Sequence, residues 1–291
     1  YDICFLDAPA KQMNEEQSME YIVRNASDAT LFVYGTSTPS IKNDVAFSVA
    51  VKERFPSTFA LLVGTHPSAR PEETLGYSSL IDAVAIGEYD NVVLELAEAL
   101  KNGGDVTQVR GLCFNGKEGC RRTAPMPAMR NLDEIPFASE FIHKYLDPRD
   151  YFFAAATYPA IQIFTTRGCP FRCNFCVYPQ TMHGHAFRTR SAESIVAEFE
   201  YIAANFPDVK EVVIEDDTFT ANKKRVMEVC SLLVERKLNK RLRWLCNARV
   251  NLDLETMLAM KKAGCRLIIP GIESGSQQIL DNIKKGTKVE Q

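Results

Sequence analysis

The chain has 291 residues, of which 46% are hydrophobic and 24% charged, and its formal net charge is −3. This composition is that of an ordinary globular protein and excludes a disordered or fibrous one. The near balance of 34 basic and 37 acidic residues gives no reason to expect nucleic acid as a partner. No apolar run approaches the roughly 18 residues of a membrane-spanning helix, so we expect no membrane span.

Cysteine usage points to a metal in a reducing compartment. There are nine cysteines, an odd number, and three of them crowd into eight residues. Neither feature suits the paired cysteines of a secreted disulfide framework, so we predict a cytoplasmic protein. The remaining six cysteines lie in apolar runs and are expected to be small core residues rather than ligands: Cys4, Cys113, Cys120, Cys230, Cys246 and Cys265.

Short apolar runs alternate with helical patterns through residues 1–105. A strand is predicted over residues 2–7, and Asn14 to Gln17 forms the pattern of a capping box that opens a helix. The alternation predicts an α/β fold that begins with a doubly wound parallel sheet, with further strands at 31–35, 59–64 and 83–87 and further helices at 44–55 and 91–100.

Ligands bind at the carboxyl ends of the strands in such a sheet. In this chain those ends carry glycines and small hydroxyl residues, which would let a flat ligand approach the backbone. The candidate contacts are Thr36, Ser37, Thr38, Gly64, Thr65, Gly87 and Glu88.

The alternation stops over residues 106–158, which contain a hairpin-like piece at 111–119 and a stretch rich in Pro, Met and Arg. We interpret this part as a linker. From residue 159 the alternation resumes as four βα units, which predicts a partial (βα) barrel over residues 159–291. The predicted strands are 161–165, 211–214, 242–247 and 266–269, and the predicted helices are 191–205, 223–237, 253–263 and 276–285.

The strongest chemical signal follows the first strand of that barrel, where Cys169, Cys173 and Cys176 form a C-x3-C-x2-C loop. Three thiolates can bind three irons of a [4Fe–4S] cluster and leave the fourth iron without a protein ligand. The alternative is a closed zinc site completed by His183 or His185, which would make the protein a non-catalytic metal-binding or partner-binding module.

The loop, with aromatic Phe175 before its last cysteine, resembles that of the radical S-adenosylmethionine (SAM) superfamily. The resemblance implies that the three cysteines bind a [4Fe–4S] cluster, that SAM binds the open iron, and that SAM is cleaved to a 5′-deoxyadenosyl radical. It also implies a set of SAM contacts at the ends of the barrel strands: Phe175 near the adenine, Asp216 or Asp217 and, as third choice, Glu215 at the amino group, Arg249 at the carboxylate and Glu273 at the ribose.

The N-terminal sheet resembles the B12-binding domain of the cobalamin-dependent class of this superfamily, whose first strand and helix would precede Tyr1. The resemblance implies cobalamin at the strand ends named above, and the alternative is a plain flavodoxin-like scaffold. It further implies C-methylation of an unactivated carbon in a small-molecule substrate, with radical oxidation, cyclisation or ring rearrangement as the alternative chemistry. A reductant such as a flavodoxin or ferredoxin would be the protein partner.

Overall fold

The computed structural model describes residues 1–116 and 119–291, which divide into two compact units. The first unit comprises residues 1–128 and 177–184, and the second comprises 129–176 and 185–291. In the part of the chain so described, no helix is both long enough and apolar enough to cross a membrane. The helices and strands are, in chain order, α1 (Glu15–Asn25), β1 (Leu31–Gly35), α2 (Ile41–Arg54), β2 (Phe59–Val63), α3 (Thr65–Ala69), α4 (Pro71–Gly76), β3 (Ala83–Ala85), α5 (Asp90–Lys101), β4 (Leu112–Gly116), β5 (Gly119–Arg122), α6 (Ala138–Tyr145), β6 (Ala160–Ile163), β7 (Thr166–Arg167), α7 (Tyr178–Thr181), β8 (Arg188–Thr189), α8 (Ala192–Asn205), β9 (Glu211–Ile214), α9 (Lys223–Glu235), β10 (Arg243–Arg249), α10 (Leu254–Lys262), β11 (Cys265–Gly271) and α11 (Gln277–Asn282).

The first unit is built on a sheet with the strand order β1-β2-β3-β4-β5. Strands β1, β2 and β3 run parallel, and the hairpin β4–β5 adds two antiparallel strands. Helix α1 begins with the predicted capping box, because the side chains of Asn14 and Gln17 each accept the other's backbone N–H at 2.9 Å. The predicted α/β fold with a parallel sheet is confirmed for these strands.

Two expectations for the first unit differ from the structure. Residues 2–7 form no strand, and Ile3 and Phe5 are exposed. A strand is stabilised by its neighbours more than by its own sequence, and no strand of the described chain pairs with this segment. The beginning of the predicted linker, 106–158, instead supplies the antiparallel strands β4 and β5 to the sheet, and residues 117–118 of the predicted hairpin-like piece lie outside the described residues.

The cysteines outside the loop also depart in part from expectation. Cys113, Cys230 and Cys246 are buried, as expected of small core residues, whereas Cys4 is exposed. Cys113 and Cys120 are joined by a disulfide across the hairpin, with Cα atoms 6.3 Å apart. Sequence patterns do not show this pairing, because it depends on the register of β4 against β5.

The second unit contains a four-stranded parallel sheet with the order β11-β10-β9-β6. Helices α8, α9 and α10 pack against it around Phe199 and Trp244, which are almost fully buried. Along β10 the side chains alternate, so Trp244 and Cys246 belong to this core while Asn247 and Arg249 point to the other face. The four βα units predicted from the sequence are therefore present, and the candidate site lies where their strands end.

Candidate functional site

The three cysteines lie on a loop that begins just after β6 and β7. Cys169, Cys173 and Cys176 are half-buried and not disulfide-bonded. Gly168 enters the loop with a φ of +82°, a left-handed conformation that favours glycine. The loop turns back on itself through a hydrogen bond from the Cys176 N–H to the Cys173 carbonyl at 3.3 Å. Among the residues that the structure describes, no three His, Cys, Asp or Glu side chains converge as the ligands of one metal ion do.

His185, one of the two candidate zinc ligands, contacts the backbone of this loop. Its Nδ1 lies 3.0 Å from the carbonyl oxygen of Cys169. Since a carbonyl oxygen can only accept, the Nδ1–H group is the hydrogen-bond donor. His185 therefore supports the loop, and His183 belongs to the other unit of the chain.

Asp216 fixes the backbone that leads into the cysteine loop. Its Oδ1 accepts the N–H groups of Thr165 at 2.6 Å and Thr166 at 2.9 Å, and its Oδ2 accepts the Thr165 hydroxyl. Burial raises the pKa of Asp216, while the hydrogen bonds from Thr165 and the charge of Arg225 oppose that shift. Arg225 donates to the Thr165 hydroxyl at 3.1 Å, so a buried carboxylate and a buried guanidinium hold the same residue.

A second buried ion pair holds the same segment from another side. Arg190 is paired with Glu198 and donates to the Phe164 carbonyl at 3.0 Å. The Arg190 side chain is only 7% exposed, a burial that we did not predict from the sequence. The signal that could have found it is Glu198, a fully buried acid within the apolar stripe of α8.

The three acids that follow β9 have different surroundings in the structure. Asp216 points inward to Thr165 and Thr166, so its carboxylate is already occupied by the protein. Asp217 is half-buried and lies close enough to the loop to affect the Cys169 thiol. Burial raises the pKa of this thiol, a hydrogen bond from the Phe171 N–H lowers it, and the negative charge of Asp217 raises it further. Partial burial raises the pKa of Glu215, and a hydrogen bond with Asn247 opposes this.

Arg249, at the end of β10, lies against the cysteine loop. Its Nη1 is 3.9 Å from the Sγ of Cys173, and its guanidinium carbon is 3.7 Å from the centre of the Phe171 ring. Its Nη2 donates to the carbonyl of Lys285. The residue is only 7% exposed, so a permanent positive charge is buried beside one of the three thiols.

Glu273 follows β11 and forms an ion pair that the sequence did not reveal. Its Oε1 is 2.7 Å from the Nζ of Lys285, which is 6.0 Å from the centre of the exposed Phe175 ring. Lys285 is 6% exposed. Sequence reasoning assigned this lysine to the end of a helix, and no local pattern distinguishes it from the exposed Lys284 beside it.

The segment that contains Lys285 also braces the loop through its backbone. Asn174, between the second and third cysteines, donates its N–H to the Ile283 carbonyl at 3.1 Å and its side-chain amide to the Asn282 carbonyl at 3.0 Å. Together with the contact from Arg249 to Lys285, these bonds tie the cysteine loop to the turn after α11. Besides His185, the loop is thus held by residues that lie more than 70 positions away in the sequence.

In the first unit, the predicted ligand-binding edge carries the expected small residues. Thr36 is 7% exposed and donates its hydroxyl to Asp44, so this side chain is turned into the protein. Ser37 and Thr38 are exposed, and the Thr38 hydroxyl lies 3.1 Å from the Nδ1 of the buried His66. Thr65 is half-buried at the start of α3.

Local backbone structure explains why glycine occupies positions 64 and 87 at this edge. Gly64 has a φ of +119°, and a Cβ there would collide with the Thr36 carbonyl. Gly87 has a φ of +82° and donates its N–H to the Ser68 hydroxyl at 3.0 Å. Gly87 and Glu88 border a cavity of about 520 Å³, whose wall also includes Met126, Met182 and His183.

Comparison with known proteins finds similarity to one family in the C-terminal part of the chain. Residues 163–291 match the model of the Radical SAM superfamily. Over its whole length the chain is 32% identical to an uncharacterized methyltransferase of Pyrococcus horikoshii, of which it spans 61%. It is 28% identical, again over its whole length, to the anaerobic magnesium-protoporphyrin IX monomethyl ester cyclase of Rubrivivax gelatinosus, of which it spans 52%. The chain thus spans about half to three fifths of the length of these relatives.

A solved structure is similar over nearly all of the chain. The cobalamin-dependent S-adenosylmethionine radical enzyme OxsB, in a structure with aqua-cobalamin and S-adenosylmethionine bound, matches with a TM-score of 0.81 and 19% identity. The match covers 98% of this chain and 41% of OxsB. At this level of identity the likeness concerns the fold.

Proposed function

We propose that this chain belongs to the Radical SAM superfamily and is part of a cobalamin-dependent radical SAM enzyme that methylates an unactivated carbon of a small molecule. The observation that carries the proposal is the loop of three half-buried thiols with a buried cation, Arg249, beside it. Soft thiolate donors suit iron and sulfide, and the positive charge compensates their negative charge.

The residues present fit an iron–sulfur cluster. Cys169, Cys173 and Cys176 would hold it. Asp216 accepts hydrogen bonds from the segment that leads into their loop, and the bonds donated by His185 and Asn174 fix the loop itself before any ligand binds. Such preorganisation lowers the ordering cost of binding. When bound, the cluster and SAM supply the radical chemistry that is common to the superfamily.

We propose that SAM is held by Phe175, Asp217, Arg249 and Glu273. Phe175 offers an exposed ring face for the adenine, and Asp217 offers a carboxylate for the ammonium group. Glu273 would accept from the ribose hydroxyls while Lys285 fixes its orientation. Asp216, the other acid predicted for this role, is the weaker candidate because its oxygens already accept from Thr165 and Thr166.

Cobalamin is proposed for the carboxyl edge of the sheet in the first unit. Ser37 and Thr38 present exposed hydroxyls there. The ends of the neighbouring strands carry glycines, which have no side chain to obstruct a ligand, and polar residues: Gly64, Thr65, Gly87 and Glu88. Thr36 supports the edge from inside, through Asp44. The cavity beside Gly87 and Glu88 provides additional room for the ligand. The alternative is that the sheet binds no cobalamin and is a flavodoxin-like scaffold.

Two observations bear on the reaction. The name of the Pyrococcus horikoshii relative supports methyl transfer, whereas that of the Rubrivivax gelatinosus relative supports radical oxidation or cyclisation as the alternative. In the first case a methyl group from SAM replaces a hydrogen on carbon; in the second the substrate is oxidised or closed into a ring. Reduced thiols suit the cytoplasm, where a flavodoxin or ferredoxin can supply electrons.

The test is anaerobic reconstitution of the protein with iron, sulfide, cobalamin and SAM, followed by analysis of the nucleoside products in the presence of a strong reductant. We expect 5′-deoxyadenosine to accumulate, and to disappear when Cys173→Ala replaces the wild type. Zinc at one equivalent per chain, with no visible iron–sulfur absorption and no nucleoside product, would support a non-catalytic metal-binding module instead.

A further inference from the structure

We propose that Arg249 raises the reduction potential of the cluster that Cys169, Cys173 and Cys176 bind. The inference rests on the proposed function, because it takes Cys173 to be a cluster ligand. It gives Arg249 a role in electron transfer to the cluster, in addition to any contact that the guanidinium makes with SAM.

The position of the guanidinium is fixed from three sides. One arm, Nη1, lies 3.9 Å from the Sγ of Cys173, and the other, Nη2, donates to the Lys285 carbonyl. The plane of the group rests on the Phe171 ring, whose centre is 3.7 Å from the guanidinium carbon. An arginine held in this way has little freedom to turn away from the thiol.

A further donor of the same group is unused within the protein. Within residues 1–116 and 119–291, the buried Nε of Arg249 has no hydrogen-bond partner. A buried donor without an acceptor costs free energy, on the order of 1–3 kcal/mol, unless a bound group supplies the acceptor. The sulfide and thiolate sulfurs of a cluster are acceptors of the kind that this position lacks.

Charge and burial together set the direction of the effect. Reduction of a thiolate-bound cluster adds one negative charge, and a neighbouring cation stabilises the reduced form more than the oxidised form. An arginine guanidinium is a permanent cation, and burial of this one limits screening by water and salt. Both factors raise the potential, so removal of the charge lowers it.

The test is a redox titration of the reconstituted protein, followed by the electron paramagnetic resonance signal of the reduced cluster. It is done without SAM, so that any contribution of Arg249 to SAM binding is absent. The variants are Arg249→Gln, which removes the charge, and Arg249→Lys, which keeps a charge but loses the planar fork. The control is Arg243→Gln, which removes an exposed arginine at the opposite end of the same strand.

For Arg249→Gln we expect the ratio of reduced to oxidised cluster at a fixed potential to fall about tenfold, which is about 59 mV for one electron. Arg249→Lys should shift in the same direction by less, and Arg243→Gln should match the wild type. If the Gln variant does not retain its iron, the Lys variant decides the matter. Potentials equal to that of the wild type at full iron content would overturn the role of Arg249, whereas a wild-type protein that binds no iron would overturn the proposed function.

Discussion

The Nζ of Lys285 lies 2.7 Å from the Oε1 of Glu273, in the space beside Gly271. A Cβ on Gly271 would come within 2.9 Å of this Nζ and 3.1 Å of this Oε1. The glycine therefore leaves room for an ion pair at the end of β11. Since the ion pair fixes the carboxylate proposed to bind the ribose of SAM, the absence of a side chain at residue 271 is part of the site.

Replacement of this glycine should weaken SAM binding without removing the cluster. In Gly271→Ala the added methyl group pushes the ends of Lys285 and Glu273 apart, and both side chains are flexible enough to move. We expect the affinity for SAM to fall about tenfold, equivalent to about 1.4 kcal/mol, with unchanged iron content. Equilibrium binding of SAM to the reconstituted protein measures this.

The matched control is Gly275→Ala, because a Cβ at residue 275 meets no atom within 4 Å. Its affinity should equal that of the wild type. An equal loss of affinity in both variants would mean that the Lys285–Glu273 pair has no part in binding SAM.

Loss of the Asp216 carboxylate should destabilise the second unit and loosen the cysteine loop. In Asp216→Ala the N–H groups of Thr165 and Thr166 lose their acceptor, and buried Arg225 loses its counter-ion. Breaking a buried pair from one side typically costs about 3–5 kcal/mol. Urea unfolding should show a loss of that size, and reconstitution should yield less iron per chain.

Asp208→Ala removes an exposed acid from the same unit and should leave the unfolding curve within about 0.5 kcal/mol of the wild type. An Asp216 variant as stable as this control would contradict the structural role of the carboxylate.

The pH dependence of stability should depend in part on Glu211. Burial alone would raise the pKa of Glu211, but the hydrogen bonds from Arg266 and from the Thr157 N–H outweigh burial and lower it below its usual 4.5. A carboxylate with a lowered pKa stabilises the folded protein above the pKa of the unfolded chain, and this contribution is lost as the pH falls through the folded pKa.

The difference in unfolding free energy between the wild type and Glu211→Gln should thus be largest at neutral pH and shrink below about pH 4.5. Urea unfolding at a series of pH values measures it, with Glu235→Gln, an exposed acid, as the control. A difference that stays constant over this range would show that the charge of Glu211 is not what stabilises the fold.

Gly35, the last residue of β1, and Gly64, which follows β2, should respond differently to alanine. Gly64→Ala places a methyl group in a left-handed backbone and against the Thr36 carbonyl, so we expect a loss of about 1–3 kcal/mol in stability and a matching loss of cobalamin binding. Gly35→Ala, whose Cβ meets no atom within 4 Å, should retain both. Thermal unfolding and the visible spectrum of bound cobalamin are the two measurements.

The positions of the helices and strands could largely be predicted from the sequence, because burial of one face gives each helix or strand a characteristic spacing of apolar residues. The strand at 211–214 and the helix opened by Asn14 agree with the structure to the residue or nearly so. The strand expected at 2–7 does not form, since pairing with a neighbour cannot be inferred from local alternation.

The cysteine loop was visible in the sequence because its donors are adjacent, but the residues that support it were not. Lys285 lies beside Phe175 of the loop, and Arg225 binds Thr165 in the segment that leads into the loop. Both come from distant parts of the chain, and each looks like an ordinary helical cation in the sequence. The acids after β9 could not be ranked either, since neighbours in a loop face different directions and only the fold shows which one is buried.

The measurement that tests the central claim most directly is the iron and acid-labile sulfide content of the anaerobically reconstituted protein, with single alanine variants of the three loop cysteines. We predict about four irons and four sulfides per wild-type chain and a loss of most of both in Cys169→Ala, Cys173→Ala and Cys176→Ala. Cys230→Ala, which alters a buried thiol of α9 whose pKa burial raises to about 12, should keep the full cluster. Iron content that is the same in all four variants as in the wild type would contradict the account.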